Sequence, residues 1–349
     1  MKILYLYSEL MGYQIPILKE YVTKYNAEVH VIHWDQKKLT PYKQPIEKNI
    51  FYYNRSEFSK KQLKEFVNNT KPDIVYISGW MDNGYLSAVR PLKKMGIPVV
   101  TGFDGIWRGT AKQRIASIIF PFIRKFIFSH AWVAGPYQYE FAKRLGFKNN
   151  EIIYNCYSAD TEIFNHAFKE SIELKKTKYP HRFLFVGRLE SVKGIDILIQ
   201  AWNKIRENKK DWELCIIGNG TLSSYLKSCS GVIVLNFMQS ENLIKEIKKC
   251  GCFILPSRFE PWALVIHEFA AAGLPIICSD ICGAAPMFVT SNYNGFIFES
   301  CNVSDLEQKM IKIINSNDNE LLQMSENSHK VGQKITPELA AACFMSILT

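Results

Sequence analysis

Several features are missing from this sequence of 349 residues, and each absence excludes a class of protein. No apolar run is long enough to cross a bilayer as a helix, since the nearest candidate, Ile115 to Phe128, is short and contains Pro121. No basic segment followed by an apolar one opens the chain as a secretory signal would. No GxGxxG turn follows the first apolar strand, which argues against a dehydrogenase.

Cysteine is also missing from the first 155 residues, and the cysteines beyond that point form no metal-binding pattern. The nine are Cys156, Cys215, Cys229, Cys250, Cys252, Cys278, Cys282, Cys301 and Cys343. Their number is odd, their spacings match no zinc motif, and most lie in apolar runs where cysteine behaves as a small apolar residue. We therefore predict reduced thiols, a cytoplasmic protein and no bound metal.

Acidic residues are scarce in the first half of the chain. Residues 1–150 carry 23 basic and 11 acidic side chains, whereas residues 151–349 carry 20 and 22. Two interpretations stay open: the first half contacts an anionic partner such as a membrane surface, or its lysines only keep the protein in solution. No helix-turn-helix, zinc-finger or RNP-like pattern is present, so we predict no specific nucleic-acid partner.

Short apolar runs alternate with amphipathic segments along the chain, and this pattern predicts right-handed βαβ units with parallel strands. The expected strands of the first half are KILYLYS, EVHVIHW, DIVYISGW, IPVVTGFD and AWVAG, and Ser59 is a candidate helix N-cap. The second series is RFLFVGR, ELCIIGN, VIVLNF, CFILPS, PIICSD and GFIF. We therefore predict an α/β protein with two Rossmann-like parallel-sheet domains that face a cleft.

The polar stretch from Asn165 to His181 shows little periodicity and is interpreted as the interruption between the two domains. The predicted boundaries are residues 1–165 for an N-terminal domain, 166–335 for a C-terminal domain and 336–349 for a last helix that starts near Pro337. This helix is apolar enough to require packing, and we expect it to pack back on the N-terminal domain.

Phosphate-binding chemistry is indicated where the first strand of the second series ends, in VGRLESVKG. A strand that ends in glycine and leads into a helix offers free backbone N–H groups, and the helix dipole favours an anion at the same point. Arg188 and Lys193, next to Gly187 and Gly194, would add two positive charges suited to a diphosphate. The alternative is that both are solvated surface cations and that the glycines serve tight turns.

Glu260 and Glu268 flank a predicted loop-to-helix junction in PSRFEPWALVIHEFAAAGLPII. Their backbones would lie ~12 Å apart if the residues between them were helical, too far to share a proton. Each could instead accept hydrogen bonds from one end of an extended ligand, while the amides of 263–265 face phosphates between them. A nucleotide sugar has that shape. The alternative is that Glu268 is a solvated carboxylate on the helix surface. Its neighbours are nearly all apolar, however, and a buried charge without a partner would be costly.

These motifs together resemble those of the retaining GT-B glycosyltransferases of the group 1, or family 4, type. PSRFEPWALVIHEFAAAGLPIICSD is similar to the family signature with two glutamates, VGRLESVKG to its phosphate-binding Arg and Lys, and IIGNGTL to its donor-side glycine loop. The resemblance is strong over residues 181–300 and limited to architecture in the first domain. The resemblance implies that the N-terminal domain binds the acceptor and that the C-terminal domain binds the donor.

The resemblance implies a site for a nucleotide-sugar donor. Arg188 and Lys193 would neutralise the diphosphate, Glu268 would hold the ribose hydroxyls, and Glu260 would lie beside the transferred sugar. The implied donor-binding residues are Gly187, Gly218, Asn219, Gly220, Pro261, Trp262, Ala263, Leu264, Val265 and Glu268. Gly283 and Ala284 would pass near the donor. The implied reaction is hexose transfer with retention, without metal or other cofactor.

Three positions depart from the family pattern. Only Gly12 stands after the first strand where many members have two glycines, and Ala263 replaces a usual glycine. Asp104 stands where a histidine is frequent, with Trp107 and Arg108 behind it. Asp104 could orient the donor sugar or the acceptor hydroxyl, or it could form an Asx turn. Arg188, Lys193, Glu260 and Asp104 are the candidate catalytic residues, and Gly12, Trp107 and Arg108 are candidate acceptor-side residues.

The segment from Lys112 to Phe128 combines four basic residues with a long apolar face. It is either a crossover helix packed on the sheet or a helix that lies on a membrane surface, which would suit a lipid-linked acceptor. Peripheral contact with the inner face of the membrane is therefore one of two interpretations of this segment.

The function that this resemblance implies is transfer of a hexose, with a UDP-sugar as the favoured donor, to a glycan or lipid-linked saccharide during surface polysaccharide synthesis. A non-catalytic nucleotide-sugar-binding partner and a phosphorylase or epimerase of the same architecture are the alternatives.

Overall fold

The computed structural model describes residues 1–36 and 44–349 of the chain. Two compact units are present: Met1–Ser158 together with Ile335–Thr349, and Ala159–Lys334. Each is built around a parallel sheet, which confirms the predicted pair of α/β domains.

The first unit contains a sheet of seven parallel strands in the order β3-β2-β1-β4-β5-β6-β7. The strands are β1 (Lys2–Tyr7), β2 (Glu28–His33), β3 (Ile50–Asn54), β4 (Ile74–Ser78), β5 (Val99–Phe103), β6 (His130–Val133) and β7 (Ile152–Ile153). In β1, residues Ile3 to Tyr7 are all buried, as expected of a strand covered by helices on both faces.

The helices of the first unit are α1 (Ile15–Tyr25), α2 (Lys60–Thr70), α3 (Asn83–Lys94), α4 (Ala111–Arg124), α5 (Pro136–Arg144) and α14 (Pro337–Met345). Ser59 caps α2 and forms a capping box with Gln62, which confirms the predicted N-cap. Helix α14 packs on α1 and places Ala341 and Phe344 in the core beside Tyr5 and Tyr21.

The second unit contains six parallel strands in the order β10-β9-β8-β11-β12-β13. They are β8 (Arg182–Val186), β9 (Glu213–Ile217), β10 (Val232–Leu235), β11 (Cys252–Leu255), β12 (Ile276–Ser279) and β13 (Gly295–Phe298). The helices are α6 (Thr161–Thr177), α7 (Ile195–Lys204), α8 (Ser223–Lys227), α9 (Ser240–Ile247), α10 (Leu264–Ala271), α11 (Ala285–Phe288), α12 (Val303–Asn315) and α13 (Asp318–Gly332).

Both sheets reverse their chain order at the same relative position. In the first sheet β1 lies between β2 and β4, and in the second β8 lies between β9 and β11. Ligands of such sheets bind beyond the carboxyl ends of the strands at this switch point. The loops after β8 and β11, which carry the sequence motifs, therefore occupy the expected ligand position of the second unit.

The sequence analysis missed some of the regular structure. Strand β3, at the sheet edge, and the short β7 were not predicted. The stretch from Asn165 to His181 is not an interruption: most of it lies in α6, where Ala167, Ser171 and Lys175 are buried although two of the three are polar. The boundary predicted at residue 165 falls inside this helix, and the chain passes from one unit to the other at Ser158–Ala159.

Each of the nine cysteines is a free thiol in the structure, and six of them are buried. Within the described ranges, a helix with the length and hydropathy that a bilayer crossing requires is not found.

Candidate functional site

The loops after β8 and β11 lie against each other at the switch point of the second sheet. The backbone N–H of Arg258 donates to the carbonyl of Val192 at 2.8 Å. Gly194 adopts a left-handed φ of 66°, and a Cβ added to it would lie 1.9 Å from the carbonyl oxygen of Pro256. Only glycine permits this approach, so one function of Gly194 is to bring the two loops together.

Because the two loops contact each other, Lys193 of the β8 loop and Glu260 of the β11 loop form an ion pair. The Lys193 ammonium donates to the Glu260 carboxylate, and each side chain is only 15% exposed. Ser257 also donates to Glu260, at 3.2 Å. Each of the two predicted catalytic side chains therefore already has a partner of opposite charge, so an incoming phosphate must share Lys193 with Glu260.

Arg188 differs from Lys193 in its surroundings. Its side chain is exposed, and within residues 1–36 and 44–349 its guanidinium makes no hydrogen bond or ion pair. The pKa of nearby Glu190 is lowered by hydrogen bonds from Thr221 and also by the charge of Arg188. Arg188 is therefore the cation of this loop that can accept an anionic ligand without breaking an existing pair.

The predicted glycine loop after β9 is joined to the β8 loop. Leu189 donates to the carbonyl of Asn219 at 2.9 Å, and Gly187 donates to Ile217 at 3.1 Å. A Cβ added to Gly218 would lie 1.9 Å from the carbonyl oxygen of Gly187. The Asn219 side chain accepts from the backbone of Phe237, just beyond β10, so its amide oxygen has a structural contact.

The segment that carries Glu260 is held by the loop after β12. Gly283 donates to the carbonyl of Glu260 at 3.0 Å, and Ala284 donates to that of Trp262 at 2.7 Å. Trp262 is almost fully buried, and its indole N–H has no acceptor among the described residues. The two residues implied to pass near the donor thus fix the backbone of the Glu260 segment.

Helix α10 begins at Leu264 without a side-chain cap and without an acidic residue in its first turn. The residue before it, Ala263, has φ 76° and ψ 64°, the left-handed conformation that disfavours a Cβ. A free helix N-terminus carries partial positive charge and available N–H groups. Pro261, Leu264 and Val265, all partly buried, lie at this end of the helix.

Glu268 lies in the second turn of α10 and is partly buried. Loss of surrounding water, with repulsion from Asp160, raises the pKa of Glu268 to about 7. Within the part of the chain that the structure describes, Glu268 has no ion pair. Its carboxylate is therefore available to accept hydrogen bonds from a ligand, and such bonds would favour the ionised form.

The neighbouring His267 has a structural role instead. It is fully buried, its Nδ1 accepts from the backbone N–H of Ala159 at 3.0 Å, and its Nε2 lies 2.9 Å from the carbonyl oxygen of Gly332. These partners fix a neutral tautomer with the proton on Nε2.

Other residues of the site were not singled out from the sequence. Arg258 makes two contacts of 2.6 Å with Asp196 in the first turn of α7, and these hydrogen bonds hold the pKa of Asp196 below its usual range. Arg258 lies within the quoted PSRFEPW motif, so the residue was visible, but its partner lies 62 positions away in the chain. The pair fixes the β11 loop on the start of α7.

The predicted acceptor-side residues and the predicted catalytic Asp104 lie in the first unit. Gly12 begins a 3-10 turn, Gly12–Gln14, before α1. Asp104, just after β5, is exposed, and its carbonyl accepts from the Gln138 side chain at 3.0 Å. Trp107 packs on Phe141, with the Arg144 guanidinium 4.7 Å from its ring centre.

Arg108 is exposed, and its backbone N–H donates to Gln113 of α4. Because it packs on Phe141, the indole of Trp107 is partly buried against the core of the first unit.

Within the described ranges, no group of three His, Cys, Asp or Glu residues is placed so that it could hold a metal ion.

In sequence, the second unit is similar to a known family of proteins. Residues 167–331 match the family model described as "Glycosyl transferases group 1". This region is slightly less than half of the chain, and it contains every candidate donor-site residue of the second unit.

Curated relatives match over a similar length. An uncharacterized glycosyltransferase of Haemophilus influenzae is 30% identical over 155 residues, 43% of this chain and 44% of the relative. A glycogen synthase of Mycobacterium tuberculosis is 30% identical over 134 residues, 36% of this chain and 31% of the relative. The chain thus spans less than half the length of these relatives.

Solved structures extend the likeness to the whole fold. Anabaena HepE in complex with UDP and glucose gives a TM-score of 0.73 at 15% identity, covering 100% of this chain and 99% of that chain. The lipopolysaccharide outer core galactosyltransferase WaaB gives 0.71 at 17% identity, with 100% and 99% coverage. The chain has the two-domain GT-B fold, and residues 167–331 are similar in sequence to group 1 glycosyl transferases.

Proposed function

We propose that this chain is a retaining glycosyltransferase of the family 4 type that transfers a hexose from a nucleotide sugar to a glycan or a lipid-linked saccharide. A UDP-sugar is the favoured donor, and the reaction needs no metal. The free thiols fit a reducing compartment, so we place the reaction in the cytoplasm, on precursors of surface polysaccharide.

One observation carries this proposal. Three features at the switch point of the second sheet belong to loops that contact one another: the exposed Arg188, which has no partner among the described residues, the Lys193–Glu260 pair and the uncapped start of α10. Cations and free N–H groups in one place suit a diphosphate. The HepE structure, which shares the fold, contains UDP and glucose, and this supports UDP as the donor nucleotide.

The proposed chemistry is stabilisation of the leaving group. Charge develops on the nucleotide diphosphate as the bond to the sugar breaks, and fixed cations and N–H groups lower the energy of that state. Arg188, Lys193 and the N-terminus of α10 would supply this stabilisation. The acceptor hydroxyl would attack on the face from which the diphosphate leaves, which gives retention, and Glu260 would lie beside the transferred sugar.

The remaining candidates receive positioning roles in this proposal. Glu268 would accept hydrogen bonds from the ribose hydroxyls, and the loops after β9 and β10 would contact the base. Gly12, Trp107 and Arg108 would form the acceptor side in the first unit, and Asp104 would orient the donor sugar or the acceptor hydroxyl.

The test is release of nucleotide diphosphate from a panel of UDP-, GDP- and ADP-sugars, with Arg188→Ala as the variant. We expect kcat/KM to fall about 100-fold or more, the usual cost of removing one stabilising donor of a developing negative charge. Arg206→Ala is the matched control, since Arg206 is an exposed arginine of the same unit and donates to Ser230.

Equal activity of Arg188→Ala and wild type would overturn the assignment of the diphosphate site. Selective thermal stabilisation by one nucleotide diphosphate would identify the base. Activity that survives a chelator and a product that keeps the anomeric configuration of the donor by NMR are expected; an inverted product would contradict retention.

A further inference from the structure

Helix α4 of the first unit turns its most apolar face outward. The residues of this face are Ile115, Ile118, Ile119, Phe122, Ile123 and Phe126, and each is between 42% and 69% exposed. They follow one another at spacings of three, one, three, one and three residues, so they form one continuous stripe along the helix and its last turn. We call these six residues the α4 stripe.

The opposite face of α4 already anchors the helix. Ala116 and Phe120 pack against the core of the first unit, and Arg124 is buried, donating to Glu151 at 2.8 Å. The usual arrangement of a crossover helix, with the apolar stripe inward, is thus reversed. The sequence suggested either a crossover helix or a membrane-surface helix, and the structure of α4 is compatible with both at once.

Exposed branched and aromatic side chains on this scale are unusual. Monomeric soluble proteins rarely expose contiguous apolar patches larger than a few hundred Å², and larger ones mark interaction surfaces. Among the described residues, nothing covers the α4 stripe, since the exposed fractions are measured with the whole described chain in place.

The charge around the stripe indicates its partner. Lys112, Arg114 and Lys125 are exposed on the same helical segment, and no acidic residue occurs between Gly105 and Tyr139. Arg124 contributes no free charge because Glu151 neutralises it. An apolar stripe flanked by cations complements a surface that is apolar beneath a layer of negative charge.

We propose that α4 lies in the plane of an anionic lipid surface, with the α4 stripe at the boundary of headgroups and acyl chains and the three cations on lipid phosphates. A second copy of this chain suits the stripe less well, because an isologous contact would bring the same cations together across the symmetry axis. The proposal goes beyond sugar transfer and does not depend on it, since docking requires neither donor nor acceptor.

The test is sedimentation of the full chain with lipid vesicles. Vesicles of phosphatidylcholine with phosphatidylglycerol are compared with vesicles of phosphatidylcholine alone, without nucleotide. The variant is Ile118→Ser with Phe122→Ser, both more than two-thirds exposed, so that the core is untouched. The matched control is Met95→Ser with Leu174→Ser, two residues that are equally exposed outside α4.

We expect the wild type and the control to bind the anionic vesicles, with binding weakened by salt, and the α4 variant to bind about tenfold less or weaker still. Lys112→Gln with Lys125→Gln should weaken binding to anionic vesicles only. The proposal is overturned if the wild type leaves the anionic vesicles unbound, or if the α4 variant binds as the wild type does. It is also overturned if the wild type is a dimer that the α4 variant converts to a monomer.

Discussion

Helices α3 and α10 occupy equivalent places in the two sheets and differ in how their N-termini are satisfied. Each follows the strand next to the switch point, β4 in the first sheet and β11 in the second. Asp82 caps α3 by accepting from the backbone N–H groups of Gly84 and Tyr85, and it pairs with Arg55. Helix α10 has no side-chain cap and no acidic residue in its first turn.

This difference teaches that topology supplies a possible anion site and that side chains decide whether it is used. In the first unit a carboxylate fills the N-terminus of α3, and Arg55 with its hydrogen bonds keeps the pKa of Asp82 below its usual range despite partial burial. In the second unit the corresponding N-terminus has no side-chain cap, and we propose that the donor phosphates bind there. The comparison accounts for our assignment of the donor site to the second unit.

The first prediction tests whether the N-terminus of α3 is purely structural. Asp82→Ala removes a cap, the partner of the partly buried Arg55, and an acceptor for the indole of Trp34. We expect a loss of about 3 kcal/mol in the free energy of unfolding, measured in urea. The affinity for the nucleotide should not change. A loss of nucleotide affinity in the folded variant would show that the N-terminus of α3 also contributes to ligand binding.

The second prediction concerns the buried cation of each unit. Arg124 in the first unit is paired with Glu151, whereas Lys175 in the second donates, among the described residues, to the Gly273 carbonyl and the Ser325 hydroxyl but to no carboxylate. Burial lowers the pKa of Lys175 to about 7. The unfolded chain, with an ordinary lysine, therefore binds more protons between about pH 7 and 10.5, so this group makes stability rise with pH there.

Lys175→Met should remove that dependence. Relative to the variant, the wild type should gain about 2 kcal/mol of unfolding free energy from pH 7 to pH 8.5, followed by urea denaturation at each pH. Cys250 and Cys252 face Lys175, and burial raises the pKa of each thiol. Both remain in the variant, so their effect cancels in the difference. Parallel pH profiles would show that Lys175 keeps an ordinary pKa.

The third prediction examines the Lys193–Glu260 pair and rests on the proposed function. Glu260→Gln removes the charge that competes with a phosphate for Lys193, so UDP should bind about fivefold more tightly by calorimetry while sugar transfer falls. Glu213→Gln is the control, because Glu213 also pairs with a cation, Arg182, in the same unit. Unchanged UDP affinity in Glu260→Gln would place Lys193 outside the phosphate site.

The smallest expected effect concerns the backbone at the start of α10. Ala263→Gly relieves a left-handed residue but adds entropy to the unfolded chain, and the two effects leave a net change within about 0.5 kcal/mol. Ala270→Gly, at a fully buried position in the last turn of the same helix, should cost about 1 kcal/mol or more in thermal or urea unfolding. Equal costs at the two positions would show that Ala263 is unstrained.

The fold was largely predictable because parallel strands buried on both faces give continuous apolar runs. All eleven predicted strands are present, and the two that were missed are an edge strand with an exposed phenylalanine, β3, and a two-residue strand, β7. Helix α6 was missed because its buried face includes polar residues such as Ser171 and Lys175, which weaken the hydrophobic period.

The candidate site was predictable in its residues but not in their pairing. Arg188, Lys193, Glu260 and Glu268 follow from local motifs, whereas the Lys193–Glu260 contact joins residues 67 positions apart. The sequence analysis counted Arg124 among the four basic residues of the segment from Lys112 to Phe128, and the structure shows it buried and paired with Glu151. The roles of these side chains in donor and acceptor binding stay predictions.

The sequence by itself determined where most of the strands, helices and glycine turns lie, because hydrophobic period and caps act between residues close in the chain. Only the tertiary structure decided which charges are neutralised and which apolar faces are covered. Among the described residues Arg188 has no partner while Lys193 is paired, and the α4 stripe is exposed while a smaller face of the same helix is buried. Such outcomes depend on segments far apart in the chain, and local patterns do not encode which of those segments will meet.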